Sequence, residues 1–119
     1  MIVADVALQP EAVREQAALL LVEAFSQPHG WPTIESAREE VARVIAEGFA
    51  RAALDADLLL GWIGGLPEYN GRVWELHPLV VRAEYRLRGI GRALTEAFEA
   101  EARTRGGFTA TLGTDDDSG

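Results

Sequence analysis

Apolar side chains recur every three or four residues in three stretches of the chain, which is the spacing of one face of a helix. The first stretch runs from Glu11 to Phe25, and Pro10 before it suits a helix start. The second runs from Ile34 to Phe49, with Thr33 as a candidate N-cap. The third runs from Gly89 to Arg105. The pattern therefore predicts three amphipathic helices.

Around these helices, apolar or alternating runs bounded by turn residues predict five strands. The glycines at positions 61, 64 and 65 of the third strand indicate a bulge or a close approach of another backbone. The order β-α-α-β-β-β-α-β predicts a mixed, mostly antiparallel sheet, whose last strand follows a right-handed crossover and runs parallel to its neighbour. The predicted strands are Ile2–Leu8, Arg51–Leu54, Leu58–Leu66, Arg72–Val81 and Phe108–Leu112.

The composition is that of a folded domain. The chain has 119 residues, of which 48% are hydrophobic and 25% charged, so it can form one domain with a buried core. No apolar run approaches the roughly 20 residues of a membrane span, and the start lacks the features of a signal peptide. We therefore expect a cytoplasmic protein that does not enter a membrane. The absence of cysteine excludes disulfides, thiolate metal sites and a cysteine nucleophile.

Charge narrows the choice of partners. The formal net charge is −8 and the isoelectric point about 4.7, which argues against nucleic acid as the main partner. Such acidity suits cationic small molecules, or it serves only solubility. The basic residues are all arginine, and Arg82, Arg86, Arg88 and Arg92 lie close together in the sequence. This concentration of positive charge in an acidic chain predicts a local anion site.

The arginine-rich segment contains the pattern Arg86-x-x-Gly89-x-Gly91, between the fourth strand and the third helix. Glycines allow a tight turn and a close approach of a ligand, and the N–H groups at a helix start suit a pyrophosphate. The pattern lacks the Lys-Ser/Thr of a Walker loop and the third glycine of a dinucleotide-binding fingerprint. The alternative is a plain turn at a helix start, but the arginines favour an anion site.

This motif resembles the coenzyme A pyrophosphate loop, Arg/Gln-x-x-Gly-x-Gly/Ala, of the GNAT N-acetyltransferases. The segments Gly61–Gly65, Val73–Val81 and Leu112–Asp116 are similar to the aminoglycoside 6′-N-acetyltransferases of that superfamily. The resemblance covers essentially the whole chain and is strongest from Leu58 to Asp117. It implies a single domain with the α/β (α+β) GNAT acyl-CoA acyltransferase fold. It also implies an acetyl-CoA-dependent enzyme that acetylates a primary amine, above all the 6′-amine of an aminoglycoside, by direct attack in a ternary complex.

The resemblance further implies where acetyl-CoA binds. Backbone groups of Leu79, Val80 and Val81 would pair with the pantetheine arm like an added strand, in a gap that opens toward the last strand. The N–H of Leu79 would stabilise the oxyanion that develops on the thioester. No metal is implied. The pyrophosphate would be held by the loop and the helix start, namely Arg86, Leu87, Arg88, Gly89, Ile90, Gly91, Arg92 and Ala93.

For the acceptor, the resemblance implies that Glu75 takes the proton of the amine, directly or through water. His77 is two residues further along the strand and so would share its face. Asp115 and Asp116 would line the far wall of the acceptor cleft. Two aromatic residues in loops, Trp31 and Tyr69, could stack on sugar rings.

Each of these acceptor-site residues has a plainer interpretation. Glu75 could be a solvated or salt-bridged carboxylate, and His77 an ordinary strand histidine with its hydrogen bonds satisfied. The aspartates could belong to a polar loop, and the aromatic residues could simply pack against the core. The sequence leaves these alternatives open.

Members of the family continue past the fifth strand with a further helix, two strands and a tyrosine often assigned to protonating the leaving thiolate. The chain stops at Gly119, so we expect a fold truncated after its fifth strand. The sequence could be part of a longer protein, a partner chain could supply the missing strands, or the chain could be a degenerate fragment. Because an exposed sheet edge favours pairing, we expect a homodimer in each case.

Two other functions fit the same residues. The acceptor could be a polyamine, an amino acid or a protein amine. Alternatively, the chain could be a truncated coenzyme-A-binding module without turnover. The expected partners are therefore coenzyme A and a small cationic amine, and the motif by itself does not establish a role in antibiotic resistance.

Overall fold

In the described part of the chain, five strands form one sheet and three helices cover its two faces. The computed structural model describes residues 1–25 and 30–110. The order of helices and strands that the sequence predicts is confirmed, with a 3-10 turn added after the first strand and another after the fourth. The elements are β1 (Ile2–Asp5), α1 (Glu11–Ala24), α2 (Ile34–Glu47), β2 (Phe49–Asp55), β3 (Leu58–Glu68), β4 (Val73–Val81), α3 (Ile90–Thr104) and β5 (Phe108–Ala110).

The sheet has the strand order β1-β2-β3-β4-β5. The first four strands are antiparallel to their neighbours, whereas β5 lies parallel to β4, with Trp74 opposite Thr109. Helix α3 makes the crossover between these two parallel strands. The predicted mixed sheet and parallel last strand are therefore confirmed, and the predicted end of that strand at Leu112 lies outside the described residues.

Each face of the sheet has its own hydrophobic core. On one face, α1 and α2 cover Trp62, which is fully buried and whose indole N–H donates to the Ala17 carbonyl oxygen at 3.1 Å. On the other face, α3 inserts Phe98 beside Phe49, with ring centroids 5.6 Å apart. Burial of such large side chains contributes about 1.5–3 kcal/mol each. The two cores hold β4 between α1 and α2 on one face and α3 on the other.

Several element ends differ from the sequence prediction, and two of the differences have a clear local cause. The strand predicted for Ile2–Leu8 ends at Asp5, because its carboxylate accepts from the Ala7 N–H at 3.0 Å and begins a 3-10 turn. The predicted second helix extends to Phe49, but α2 ends before Gly48, which leaves the helical conformation, and Phe49 opens β2. The apolar spacing continued across the helix end because Phe49 is buried against the α3 core.

A bulge interrupts the pairing of β3 with β4. Ile63 lies opposite Leu79 and Gly65 opposite Leu76, so two residues of β4 face the single residue Gly64. A side chain at Gly64 would collide with the carbonyl oxygen of His77, as the glycines of this strand predicted. Because of the extra residue, the β4 residues after the bulge face the opposite side of the sheet from the side that simple alternation would give them. Bulges of this kind often re-aim a side chain near an active site.

Candidate active site

The segment between β4 and α3 contains two residues with positive φ, Leu87 and Gly89. Leu87 has a positive φ of 63° although it is not glycine, and its side chain is 78% exposed. Gly89 caps α3 with a φ of 83°, and no side chain of the described residues caps the helix. Ile90 is buried in the α3 core and anchors the first turn. The helix start therefore offers backbone N–H groups and the positive end of the dipole to an anion.

Three of the four clustered arginines lie exposed around this helix start: Arg86, Arg88 and Arg92. The Arg88 guanidinium lies over the ring of Tyr85, 5.5 Å from its centroid, which favours an ordered position for the charge. Arg82 has a different role. Its Nε donates to the Leu59 carbonyl oxygen at 2.5 Å, and its NH2 group lies 3.2 Å from the amide oxygen of Gln16 on α1. Arg82 is therefore held by the fold, and three of the four clustered arginines remain exposed to an anion at this helix start.

Backbone groups near the end of β4 point away from β3. The N–H of Arg82 donates to Leu60 at 2.8 Å, which makes these opposite residues a hydrogen-bonded pair of the antiparallel ladder. Since hydrogen-bonded and non-hydrogen-bonded pairs alternate, Val80 turns its N–H and C=O toward β3, and not toward the side where the resemblance implies pantetheine. Leu79 and Val81 turn theirs to that other side, where the Val81 carbonyl oxygen accepts from the Arg86 Nε at 3.5 Å. That side is where β5 joins β4 at its opposite end. Residues 111–119, which would continue β5, lie outside the described part.

Glu75 lies on the face of β4 covered by α1 and α2. It is opposite Leu66, which belongs to that core, and directly opposite residues of a sheet share a face. Its side chain is half-buried. Among the described residues it has no ion pair and no hydrogen bond. A structural salt bridge, one of the plainer interpretations of Glu75, is therefore not found within the described part of the chain.

His77 makes a specific contact that the sequence did not indicate. Its Nε2 lies 2.9 Å from Oε2 of Glu40 on α2, and its ring lies edge-on to Trp31 with centroids 5.8 Å apart. Glu40 is also paired with Arg43 at 3.2 Å. The contact places His77 on the same face as Glu75, as the sequence predicts. Nothing in the sequence pattern marked Glu40, because it lies on a helix face among other acidic residues.

The other predicted acceptor residues lie in different places. Trp31 is half-buried between Phe25 and His77, with a centroid distance of 5.6 Å to Phe25, and packs against the core under α1 and α2, as its plainer interpretation expects. Tyr69 is 75% exposed in the turn between β3 and β4, at the opposite end of β4 from Arg86. The structure brings Trp31 together with His77 and leaves Tyr69 away from the anion loop. Asp115 and Asp116 lie outside the described residues.

A separate groove of about 940 Å³ lies between α1 and α2. The described residues that line it, among them Glu11, Ala18, Arg38 and Ile45, include none of the predicted site residues. Within the described ranges, no cluster of three or more His, Asp or Glu side chains is arranged to hold a metal ion. None of the helices at 1–25 and 30–110 has both the length and the apolar character to cross a bilayer.

Comparison with solved structures finds proteins that are similar to this chain in fold and in sequence. An aminoglycoside 6′-N-acetyltransferase complexed with coenzyme A superposes with a TM-score of 0.80 at 36% identity, covering 90% of this chain and 58% of the other. The aminoglycoside 6′-N-acetyltransferase from Enterococcus faecium gives 0.75 at 38%, covering 90% and 57%. The chain thus spans less than two thirds of the length of these two relatives. An aminoglycoside 6′-acetyltransferase of type Ii gives 0.76 at 36%, covering 90% and 67%.

A search among curated protein sequences gives no match. The family model described as the acetyltransferase (GNAT) family matches residues 11–118, which is most of the chain. The match includes the loop of Arg86 to Gly91, the bulged strand β4 and the crossover helix α3. The chain therefore belongs to the GNAT acetyltransferase family.

Proposed function

We propose that the chain is the acetyl-CoA-binding part of an N-acetyltransferase whose acceptor is the 6′-amine of an aminoglycoside. The observation that carries the proposal is the end of β4, where Leu79 and Val81 turn backbone groups away from β3, next to a start of α3 that no described side chain caps. The relatives that are 36–38% identical to the chain over the aligned residues support the choice of acceptor. Because the chain spans only part of them, the proposal concerns the whole protein.

Each part of this end of the fold suits one part of acetyl-CoA. The helix start and the exposed Arg86, Arg88 and Arg92 suit the pyrophosphate, because backbone N–H groups and guanidinium groups both donate to its oxygens. The outward backbone groups of Leu79 and the N–H of Val81 suit the amides of the pantetheine arm, which would pair with them as an added strand does. The Val81 carbonyl oxygen already accepts from the Arg86 Nε at 3.5 Å, and this long contact would open if Arg86 turns to the pyrophosphate. The acetyl thioester then lies beside β4, within reach of the Leu79 N–H.

The proposed reaction needs no covalent enzyme intermediate. The amine nitrogen attacks the thioester carbonyl carbon while the Leu79 N–H donates to the oxygen, on which negative charge develops. The C–S bond then breaks and coenzyme A leaves as the thiolate. Glu75 takes a proton from the amine, directly or through one water. Holding the amine and the thioester in contact supplies a large share of the rate acceleration.

The face of β4 that carries Glu75 and His77, here called the acceptor side, suits a cationic substrate. Glu75 lacks a cationic partner among the described residues, and Glu40 lies on the same side of the sheet behind His77. The net charge of −8 favours the approach of a polycation. An aminoglycoside carries several ammonium and hydroxyl groups, and carboxylates are the side chains that bind both. Trp31 beside His77 adds an apolar surface for a sugar ring.

A panel of amines tests the proposal. The whole protein is mixed with acetyl-CoA and with kanamycin, a polyamine or an amino acid in turn, and release of the coenzyme A thiol is measured. Fast release with kanamycin and slow release with the others supports the proposed acceptor. Fast thiol release with the polyamine alone would contradict the proposed aminoglycoside and identify a polyamine as the acceptor. Coenzyme A binding without release in any mixture would indicate a binding module.

The proposal also includes a homodimer in the cytoplasm. Light scattering of the purified whole protein is expected to give twice the mass of one chain. The mass of a single chain at micromolar concentration would contradict the dimer and leave the proposed reaction untouched.

A further inference from the structure

The contact between His77 and Glu40 joins β4 to α2 on the acceptor side of the sheet. Nε2 of His77 lies 2.9 Å from Oε2 of Glu40. A carboxylate only accepts hydrogen bonds, so the hydrogen of a neutral imidazole is on Nε2 and Nδ1 is left as an acceptor. Glu40 also accepts from Arg43, and this hydrogen bond raises the pKa of the Arg43 guanidinium. Glu40 thus acts as an anionic partner to both side chains.

The two members of the pair differ in exposure. The side chain of Glu40 is 11% exposed, whereas that of His77 is 34% exposed. The ring of Trp31 packs edge-on against the imidazole and restricts its rotation. The carboxylate is therefore the buried end of the pair and the imidazole is the end that a ligand can reach. His77 also sits in the bulge of β4, two residues from Glu75.

We propose that Glu40 is a positioning residue that holds His77 in the Nε2–H tautomer, so that Nδ1 accepts a hydrogen from an ammonium or hydroxyl group of the acceptor. This inference rests on the proposed function. The acceptor is then bound by two neighbouring groups of β4, with His77 orienting it and Glu75 taking the proton. A buried carboxylate that fixes the tautomer of a histidine is a common arrangement where the ring must present one particular nitrogen.

A purely structural role makes different predictions. If the pair only links α2 to β4, its loss lowers the free energy of unfolding and leaves the kinetics of the folded protein unchanged. If Glu40 acts through His77, its loss changes the kinetic constants for the acceptor and not those for acetyl-CoA. Kinetics and unfolding measured on the same variants therefore separate the two roles.

The test uses Glu40→Gln, His77→Gln and the double variant in the whole protein, with Glu39→Gln as control. Glu39 is the exposed neighbour on the same helix. We expect Glu40→Gln to lower kcat/KM for kanamycin about tenfold, with KM for acetyl-CoA unchanged. In a His77→Gln background, Glu40→Gln should change kcat/KM less than twofold, because the residue it positions is already gone. Glu39→Gln should match the wild type.

Nitrogen NMR of the imidazole gives a second readout that does not need turnover. The chain has two histidines, so the spectrum of His77→Gln assigns the signals of His77. The wild type should show Nε2 protonated and Nδ1 bare, and Glu40→Gln should shift the population toward the other tautomer. Kanamycin binding by calorimetry should weaken in Glu40→Gln by the same factor as kcat/KM.

Two results would overturn the positioning role. One is a tautomer population in Glu40→Gln equal to that of the wild type. The other is an equal loss of kcat/KM from Glu40→Gln with and without His77, since the two effects would then be independent. Failure of the proposed function looks different: the wild type itself would release no thiol with any amine, while the NMR readout would still decide whether Glu40 sets the tautomer.

Discussion

The carboxylate of Glu75 lies half-buried on β4, on the side that α1 and α2 cover, and has no ion-pair partner among the described residues. A carboxylate in that position can accept a proton from a bound amine without first breaking a salt bridge. His77 shares its face and is held by Glu40. At the scale of single residues, the acceptor side of β4 therefore combines one unpaired carboxylate with one oriented imidazole.

Replacing Glu75 with Gln removes the proton acceptor and keeps the size of the side chain. We expect kcat for kanamycin to fall about a hundredfold, because general-base catalysis contributes at least that much. Calorimetry should show nearly unchanged coenzyme A binding, since the proposed pyrophosphate site follows the other end of β4. Glu68→Gln, at the exposed end of β3, is the control. Equal losses of turnover and of coenzyme A affinity in Glu75→Gln would contradict the catalytic role.

Two glycines at opposite ends of α3 allow a matched comparison. Gly89 begins the helix with a φ of 83° and Gly106 follows it with a φ of 82°. An alanine at either position should cost about 1 kcal/mol in the free energy of unfolding, because both conformations disfavour a side chain. Only Gly89→Ala should also weaken coenzyme A binding, measured by calorimetry. Similar coenzyme A affinities in the two variants would rule out the helix start as the pyrophosphate site.

At the scale of elements, the arginines between β4 and α3 differ in whether they contact neighbouring elements or remain exposed to a ligand. Arg82 connects β3 to α1 through Leu59 and Gln16, whereas Arg88 lies exposed over Tyr85. The two arginines are six positions apart in the sequence and belong to one charge cluster. Their contacts indicate that one stabilises the fold and the other is available to an anion.

Substitution by methionine distinguishes these two arginines. Arg82→Met should lower the free energy of unfolding by about 1–3 kcal/mol, because the Leu59 carbonyl oxygen loses the Arg82 donor and the Gln16 amide oxygen keeps only the Leu59 N–H. It should leave the coenzyme A affinity of the folded protein unchanged. Arg88→Met should leave the free energy of unfolding unchanged and weaken coenzyme A binding. Urea unfolding measures the stability of both variants, and calorimetry measures their coenzyme A affinity. Weaker coenzyme A binding in Arg82→Met, with unchanged binding in Arg88→Met, would show that Arg82 contacts the ligand.

Helix α3 is connected to β2 by Glu101, which accepts from Arg105 at 2.7 Å and pairs with Arg51 at 2.8 Å. Burial alone would raise the pKa of Glu101, but the hydrogen bond from Arg105 and the charges of both arginines outweigh it, so the pKa lies below its usual 4.5. A carboxyl whose pKa is lowered on folding stabilises the fold above its unfolded pKa. That stabilisation is lost as pH falls through the lowered value in the folded state.

Glu101→Gln should therefore reduce stability at pH 7 by about 1 kcal/mol, and the difference from the wild type should shrink below pH 4.5. Urea unfolding at a series of pH values measures both quantities. Glu96→Gln, an exposed neighbour on the same helix, should leave stability unchanged at every pH. A Glu101→Gln effect of constant size from pH 7 to pH 3 would show that the ion pairs do not contribute.

At the scale of the whole molecule, the pattern of apolar spacing predicted the three α-helices of the described residues and the order of the strands, but not the two 3-10 turns. That success has a physical reason, because each helix covers one face of the sheet and each strand is bounded by turn residues. Its errors occur where a local pattern continues across an element end. Phe49 fits the periodicity of α2 but opens β2, and the strand at Ile2 stops where Asp5 caps a turn.

The candidate site was predicted in part. The loop of Arg86–Gly91 and the positions of Glu75 and His77 on one face follow from motif and strand alternation. The contact with Glu40 does not, because it joins residues 37 positions apart through the packing of α2 on the sheet. The structural role of Arg82 has the same origin, since its partners come from α1 and β3. Long-range polar contacts of this kind leave no periodic signal in a sequence.

The most direct test of the proposed acetyl transfer is the structure of its product. The whole protein is incubated with acetyl-CoA and kanamycin, and the aminoglycoside is recovered and examined by mass spectrometry and NMR. We predict one added acetyl group per molecule, bound to the nitrogen at the 6′ position, with an equal amount of coenzyme A thiol released. Unmodified kanamycin after prolonged incubation, or an acetyl group on a different nitrogen, would contradict the proposed function.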